Sequence, residues 1–192
     1  VSHDEIFLSN EKKDTKKEKI LSENKWDREK KIIVISLPQY WEHNMCSKDD
    51  HFNIINEMIY GLSQIDFNII IGLHPKMLRS NYLHLEEIEN VFILNEPLES
   101  IVGVADIFIS TFSSTVSWAL LCGKKPLIVD HFLLSYSNFY EEFNMKIFET
   151  NELLFTYLKT TEIANINAID QKLLDNLSPF DGLCQQRISD AL

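Results

Sequence analysis

Glycine is scarce in this 192-residue chain, with five residues in all, and no glycine-rich phosphate loop is present. The first apolar run is not followed by G-x-G-x-x-G, and neither a Walker A sequence nor a G-x-S-x-G elbow occurs. The usual sequence warrants for a dinucleotide dehydrogenase, a P-loop NTPase or an α/β-hydrolase are therefore missing. Cysteine is equally sparse. Cys46, Cys122 and Cys184 are odd in number and far apart, which argues against a disulfide framework or a structural zinc site and reads as reduced thiols. The six histidines show no H-E-x-x-H or other metal spacing, so neither metal nor cofactor is expected.

No apolar stretch reaches the roughly 20 residues of a membrane-spanning helix, and no basic region leads into an apolar segment with a cleavage site. The expectation is a cytoplasmic protein whose one route to the inner membrane is peripheral, through a partner. The chain opens on Val1 rather than Met, as expected of a segment of a longer protein or of a processed start.

Positive charge is also scarce outside one region. Residues 1–31 hold nine Lys/Arg against eight Asp/Glu, leaving nine against 21 for the rest of a chain whose net charge is −11. Such an acidic body repels a nucleic-acid backbone but leaves room for one local phosphate site. Residues 1–31, dominated by mixed charge, read as a linker or tether, partly helical at most.

From residue 32 the pattern changes. Short β-branched runs at Ile32–Leu37, Asn68–Leu73, Val91–Leu94, Ile107–Ser110 and Pro126–Val129 alternate with segments of helical period. This is the signature of βαβ units and a parallel sheet covered on both faces. The expected fold is α/β, a Rossmann-like doubly wound sheet of five to six strands complete by Val129. Helices are expected at Asn138–Phe143, Glu152–Leu158, roughly Ala168–Leu177 and toward Leu192. The domain is expected to span residues 32–192.

Ligands of open parallel sheets bind beyond the carboxyl ends of the strands. After the second run comes His74-Pro75-Lys76, with Arg79 close behind. Pro75 disfavours a helical His74, and three cation-capable groups in so acidic a chain suit a phosphate. A turn-capping His74 beside solvated Lys76 and Arg79 is the alternative.

After the fourth run, Ser110-Thr111-Phe112-Ser113-Ser114-Thr115 opens a helix closed by Gly123, so hydroxyls and free N–H groups meet at a helix start. Ordinary capping needs only one of them. Ser113, Ser114 and Thr115 join His74 and Lys76 as candidate phosphate ligands. Thr111, Glu141 in the segment after Asp130, and Tyr40 in the loop after the first run are candidate contacts to ribose, base or sugar.

Taken together, His74-Pro75, Asn90-Val91-Phe92-Ile93, Ala105 to Thr115 and Ala119 to Pro126 resemble the C-terminal, nucleotide-sugar-binding half of GT-B glycosyltransferases over about residues 32–143. An H-P pair followed by an S-S pair is similar to bacterial sialyltransferases and Kdo transferases. That resemblance implies His74 and the Ser113-Ser114 pair as ligands of the nucleotide phosphate. The stretch from Ala105 to Thr115 also resembles CDP-glycerol glycerophosphotransferases of teichoic-acid synthesis. More distantly it resembles UDP-N-acetylglucosamine 2-epimerases, which have Asp-Ser-Gly-Gly where this chain has Thr111-Phe112-Ser113-Ser114.

The family implies a CMP-, CDP- or UDP-linked sugar donor as substrate, a role in surface polysaccharide or lipopolysaccharide synthesis, and an acceptor domain supplied from elsewhere in the same or a partner chain. The catalytic base would lie in that domain, so the isolated chain is expected to bind nucleotide weakly without turnover. A non-catalytic nucleotide- or sugar-binding module is the competing reading.

Overall fold

A computed structural model describes residues 3–134, 144–169 and 180–190. Six parallel strands form one sheet: β1 (Lys31–Ser36), β2 (Phe67–Gly72), β3 (Val91–Ile93), β4 (Ile107–Ser110), β5 (Leu127–Val129) and β6 (Lys146–Phe148). Their order across the sheet is β3-β2-β1-β4-β5-β6. The chain builds outward from β1 in one direction, then returns to pair β4 with the other side of β1.

Alternation along the strands divides the core into two layers. Ile33, Ile35, Ile69, Ile71, Ile107 and Ile109 face one side and pack against Ile55, Met58, Ile59 and Leu62 of α3 (Lys48–Ser63) and Leu154 and Leu158 of α5 (Asn151–Thr160). Ile32, Val34, Ile70 and Phe108 face the other side, where they meet Ala119 of α4 (Thr115–Leu121) and two amino-terminal helices. Ser47 starts α3 by accepting from the Asp50 N–H, and Thr150 starts α5 by accepting from the Leu153 N–H. A Cβ placed at Gly61 of α3 would lie 2.2 Å from the Phe155 ring of α5, so the two helices touch where no larger residue fits.

The charged amino-terminal segment is not a free tether. It forms α1 (His3–Glu11) and α2 (Lys13–Glu23), which bury Ile6, Ile20 and Leu21 against the sheet. Three apolar anchors in 21 residues make too faint a stripe to stand out from the surrounding charge. Lys17 donates to the Asp106 carboxylate at 3.0 Å, and the same oxygen accepts the Ile32 N–H at 2.8 Å. Asp106, a residue of the motif stretch, thus ties α2 to β1 at the amino edge of the sheet.

The sheet does not end at Val129. β6 adds a sixth strand, parallel to β5, and only Phe148 of its three residues is buried. An edge strand this short and half exposed carries no apolar run. Between β2 and β4 the connections hold short 3-10 segments at Leu83–Glu87, Leu98–Ser100 and Val102–Val104. Beyond α5 come α6 (Ile163–Ile166) and α7 (Cys184–Asp190). The Asp4 carboxylate receives the N–H groups of Cys184 and Gln185, each at 2.8 Å, and so joins α7 to α1. The helix expected at Asn138–Phe143 lies outside the described residues, as does all but Ala168 and Ile169 of the one expected at Ala168–Leu177.

Gly123 closes α4 at φ 70°, with the Lys124 N–H donating to Ala119 O and its own N–H to Leu120 O. This is a Schellman ending that needs left-handed backbone. An added Cβ there would touch nothing within 4 Å, so Gly123→Ala isolates backbone strain and should cost about 1 kcal/mol in urea unfolding, with Gly123→Asn costing less. Leu21→Ala should cost about 3 kcal/mol if α2 is part of the cooperative fold, and close to nothing if it is a tether.

Candidate functional site

All six strands are parallel, so their carboxyl ends share one edge, and there the direction of winding reverses between β1 and β4. Such a reversal opens a crevice between the loops that leave the two strands. The loops after β1, β2 and β4 therefore converge. Those after β2 and β4 lie on either side of β1, about 10 Å apart by strand spacing.

In the loop after β2, His74, Pro75 and Lys76 are all exposed, and Met77 N–H closes a turn on His74 O at 2.8 Å. The Lys76 N–H donates to His74 Nδ1 at 3.1 Å. With Nδ1 occupied as an acceptor, the neutral ring carries its proton on Nε2. The imidazole thus caps its turn and still has an N–H to offer. Arg79 is committed elsewhere: it donates to Ile93 O at 2.9 Å and Leu94 O at 3.2 Å and pairs with Glu86 at 2.8 Å. It holds the carboxyl end of β3 in place.

The hydroxyls after β4 divide into two groups. Ser110 and Thr115 turn inward and bond each other at 3.1 Å, and Thr115 is 7% exposed. Ser113 Oγ accepts the Thr115 N–H at 3.3 Å and so supports the start of α4. Ser114 takes the N-cap position with an exposed side chain that makes no capping bond. Thr111 is half-buried. Ser114 is therefore the outward-facing member of the candidate set, Ser113 is half-buried beside it, and the Thr115 hydroxyl serves the loop's shape.

Tyr40 is 4% exposed, and its hydroxyl reaches His131 Nδ1 at 2.8 Å. His131 Nε2 reaches Asn151 Oδ1 at 2.9 Å, while Asn151 Nδ2 donates to Ile54 O at 3.3 Å. The amide nitrogen is spent, so Asn151 Oδ1 accepts from Nε2–H and the Tyr40 O–H donates to Nδ1. This line of bonds pins the loop after β1 to the loop after β5 and to α3. Tyr40 is thus a buried anchor of the loop after β1, not an open contact. Glu141 lies outside the described residues.

A second buried group lies alongside. His51 Nε2 bonds the Tyr82 hydroxyl at 2.8 Å, and Tyr82 donates to Glu42 at 3.4 Å. The sequence held no signal for either network, because their bonds join residues 20 to 97 positions apart. Burial holds both His51 and His131 below the ordinary imidazole pKa, against the opposing pull of Glu42 on His51 and of the Asn151 bond on His131. Burial raises the Tyr40 and Tyr82 hydroxyls, so both stay protonated. Cys122 is likewise pushed up to about 11 by burial, which marks a packed thiol and not a nucleophile. Among the described residues no group of three or more His, Cys, Asp or Glu converges to hold a metal, and no helix is long and apolar enough to cross a membrane.

Comparison with solved structures places this architecture. The wall teichoic acid polymerase TagF superposes with a TM-score of 0.65 at 19% identity, over 97% of this chain and 48% of that one. The two share a fold. The H548A form of TagF gives 0.66 at 19% identity, covering 98% and 49%, and the H444N form soaked with CDPG for 15 minutes gives 0.60 at 18%, covering 98% and 47%. The chain thus spans about half the length of these polymerase structures. No family model and no curated protein matches the sequence.

Because the folded state keeps His51 and His131 neutral while the unfolded chain protonates near pH 6.5, the unfolded state binds the extra protons as pH falls. The stability they contribute is full above that pH and declines below it, toward their lowered folded values. His51→Phe should flatten the drop in urea midpoint between pH 7 and 5.5, by up to about 1.4 kcal/mol per pH unit. An unchanged slope would show that His51 does not titrate on unfolding.

Proposed function

We propose that residues 32–192, with the two charged helices docked on them, form the donor-binding half of a transferase acting in surface-polymer synthesis. The observation that carries this reading is the placement of two sequence motifs, His74-Pro75 and Ser113-Ser114, on the loops after β2 and β4, the two strands that pair with β1. The likeness to TagF supports it, since that polymerase is a surface-polymer enzyme and one of its forms was soaked with CDPG. The ligand in this reading is the phosphate of a CMP-, CDP- or UDP-linked donor.

The chemistry follows from the groups present. Transfer leaves negative charge on the departing nucleotide phosphate, and N–H and O–H donors aimed at that charge lower the barrier. His74 Nε2–H from one side, and Ser113 and Ser114 from the other, are such donors, with Lys76 adding positive charge at the rim. Thr111 is the proposed ribose or sugar contact, and Glu141 a proposed partner from the segment after β5. The acceptor and the base that deprotonates it belong to a second half, in the same or a partner chain. This chain by itself binds donor and does not turn it over.

Calorimetric titration with CMP, CDP, UDP, GDP and CDPG tests the reading. A charge-assisted hydrogen bond contributes about 1.5 to 3 kcal/mol, so Ser114→Ala and His74→Ala should each weaken binding about tenfold or more. Thr115→Val should instead lower stability by about 1 kcal/mol and leave affinity nearly unchanged. Folded protein that binds none of these below about 1 mM would overturn the proposal.

A further inference from the structure

At the amino edge of the sheet, across the strands from the crevice, a cavity of about 290 Å³ opens where β5 and β6 begin. Lys125 precedes β5, and Lys146, the first residue of β6, pairs in register with Leu127. Tyr157 of α5, Asn144, and Asn165 and Ile166 of α6 complete the wall.

Two lysines thus line one small cavity in a chain of net charge −11. Neither enters any salt bridge among the described residues, although four other lysines do. Partial burial and the nearby Lys146 push the Lys125 pKa down. Like charges held together without a carboxylate between them are unfavourable, and a bound anion removes that repulsion. The amide groups of Asn144 and Asn165 and the Tyr157 hydroxyl add hydrogen-bond donors of the kind that take phosphate oxygens. The volume lies at the lower bound of the roughly 300 to 1,000 Å³ that drug-sized ligands occupy, which suits a phosphate or diphosphate group and excludes a whole nucleotide sugar.

We propose that this cavity is a second anion site, specific for a phosphate or diphosphate group and separate from the donor crevice. Lys125 and Lys146 supply the charge, one from each of two adjacent strands. Occupancy links β5, β6 and α6, and so stabilises the short edge strand.

Inorganic pyrophosphate, titrated by calorimetry at constant ionic strength, is the probe. The His74→Ala/Ser114→Ala double variant weakens the crevice contacts, so that dependence of the remaining binding on Lys125 and Lys146 reports this cavity. In that background Lys125→Gln and Lys146→Gln should each weaken pyrophosphate about tenfold, whereas Lys146→Arg, which keeps the charge, should stay within about threefold. Circular dichroism confirms that each variant is folded. Binding that is indifferent to both glutamine variants, or no binding up to about 10 mM in the double variant, overturns the site. Loss of nucleotide binding in wild type with pyrophosphate binding retained here would sink the donor reading and leave this one standing.

Discussion

Every placement in this chain rests on β4 pairing with β1 and not with β3. That choice buries Phe108 and Ile109 on opposite faces of the sheet and sets Ile35 beside Ile109 in register. It also brings the loops after β2 and β4 to either side of one strand. Had the fourth strand continued outward from β3, His74-Pro75 and Ser113-Ser114 would lie on one flank and no crevice would divide them. The Asp106 carboxylate guards this pairing at the amino edge, where it takes the Ile32 N–H and the Lys17 ammonium together.

The loops at the carboxyl edge are held by polar groups turned inward. Tyr40, His131 and Asn151 form one line and His51, Tyr82 and Glu42 another, both under the loop after β1. Buried polar groups cost stability unless they are paired, and when paired they fix geometry that apolar packing leaves free. The outer surface of the crevice is then free to carry side chains whose hydrogen-bonding groups point to solvent, Ser114 among them. This division explains why the hydroxyls of one short stretch serve two purposes: Ser110, Ser113 and Thr115 hold the loop, and Ser114 faces out.

The sheet was legible because its first five strands are apolar, largely β-branched runs, a pattern that needs no partner to be read. β6 was not, since one buried phenylalanine in three residues has no period. The docking of α1 and α2 was equally hidden: Ile6, Ile20 and Leu21 are far apart among charges, and only the sheet surface they meet gives them meaning. For the site, position was readable and commitment was not. The spacing located His74 and the serines on loops after strands, but nothing local distinguishes the inward Thr115 from the outward Ser114. Arg79 and Tyr40 looked available and are spent on long-range bonds.

The contact between Asp4 and the start of α7 spans 180 residues of sequence. A seven-residue helix is too short to persist unsupported in water, and bringing so long a loop to closure carries an entropic cost that only existing structure offsets. α7 is therefore held by a carboxylate that α1 supplies. Loosening of α1 from the sheet removes that support, which couples the two ends of the described chain in one local opening.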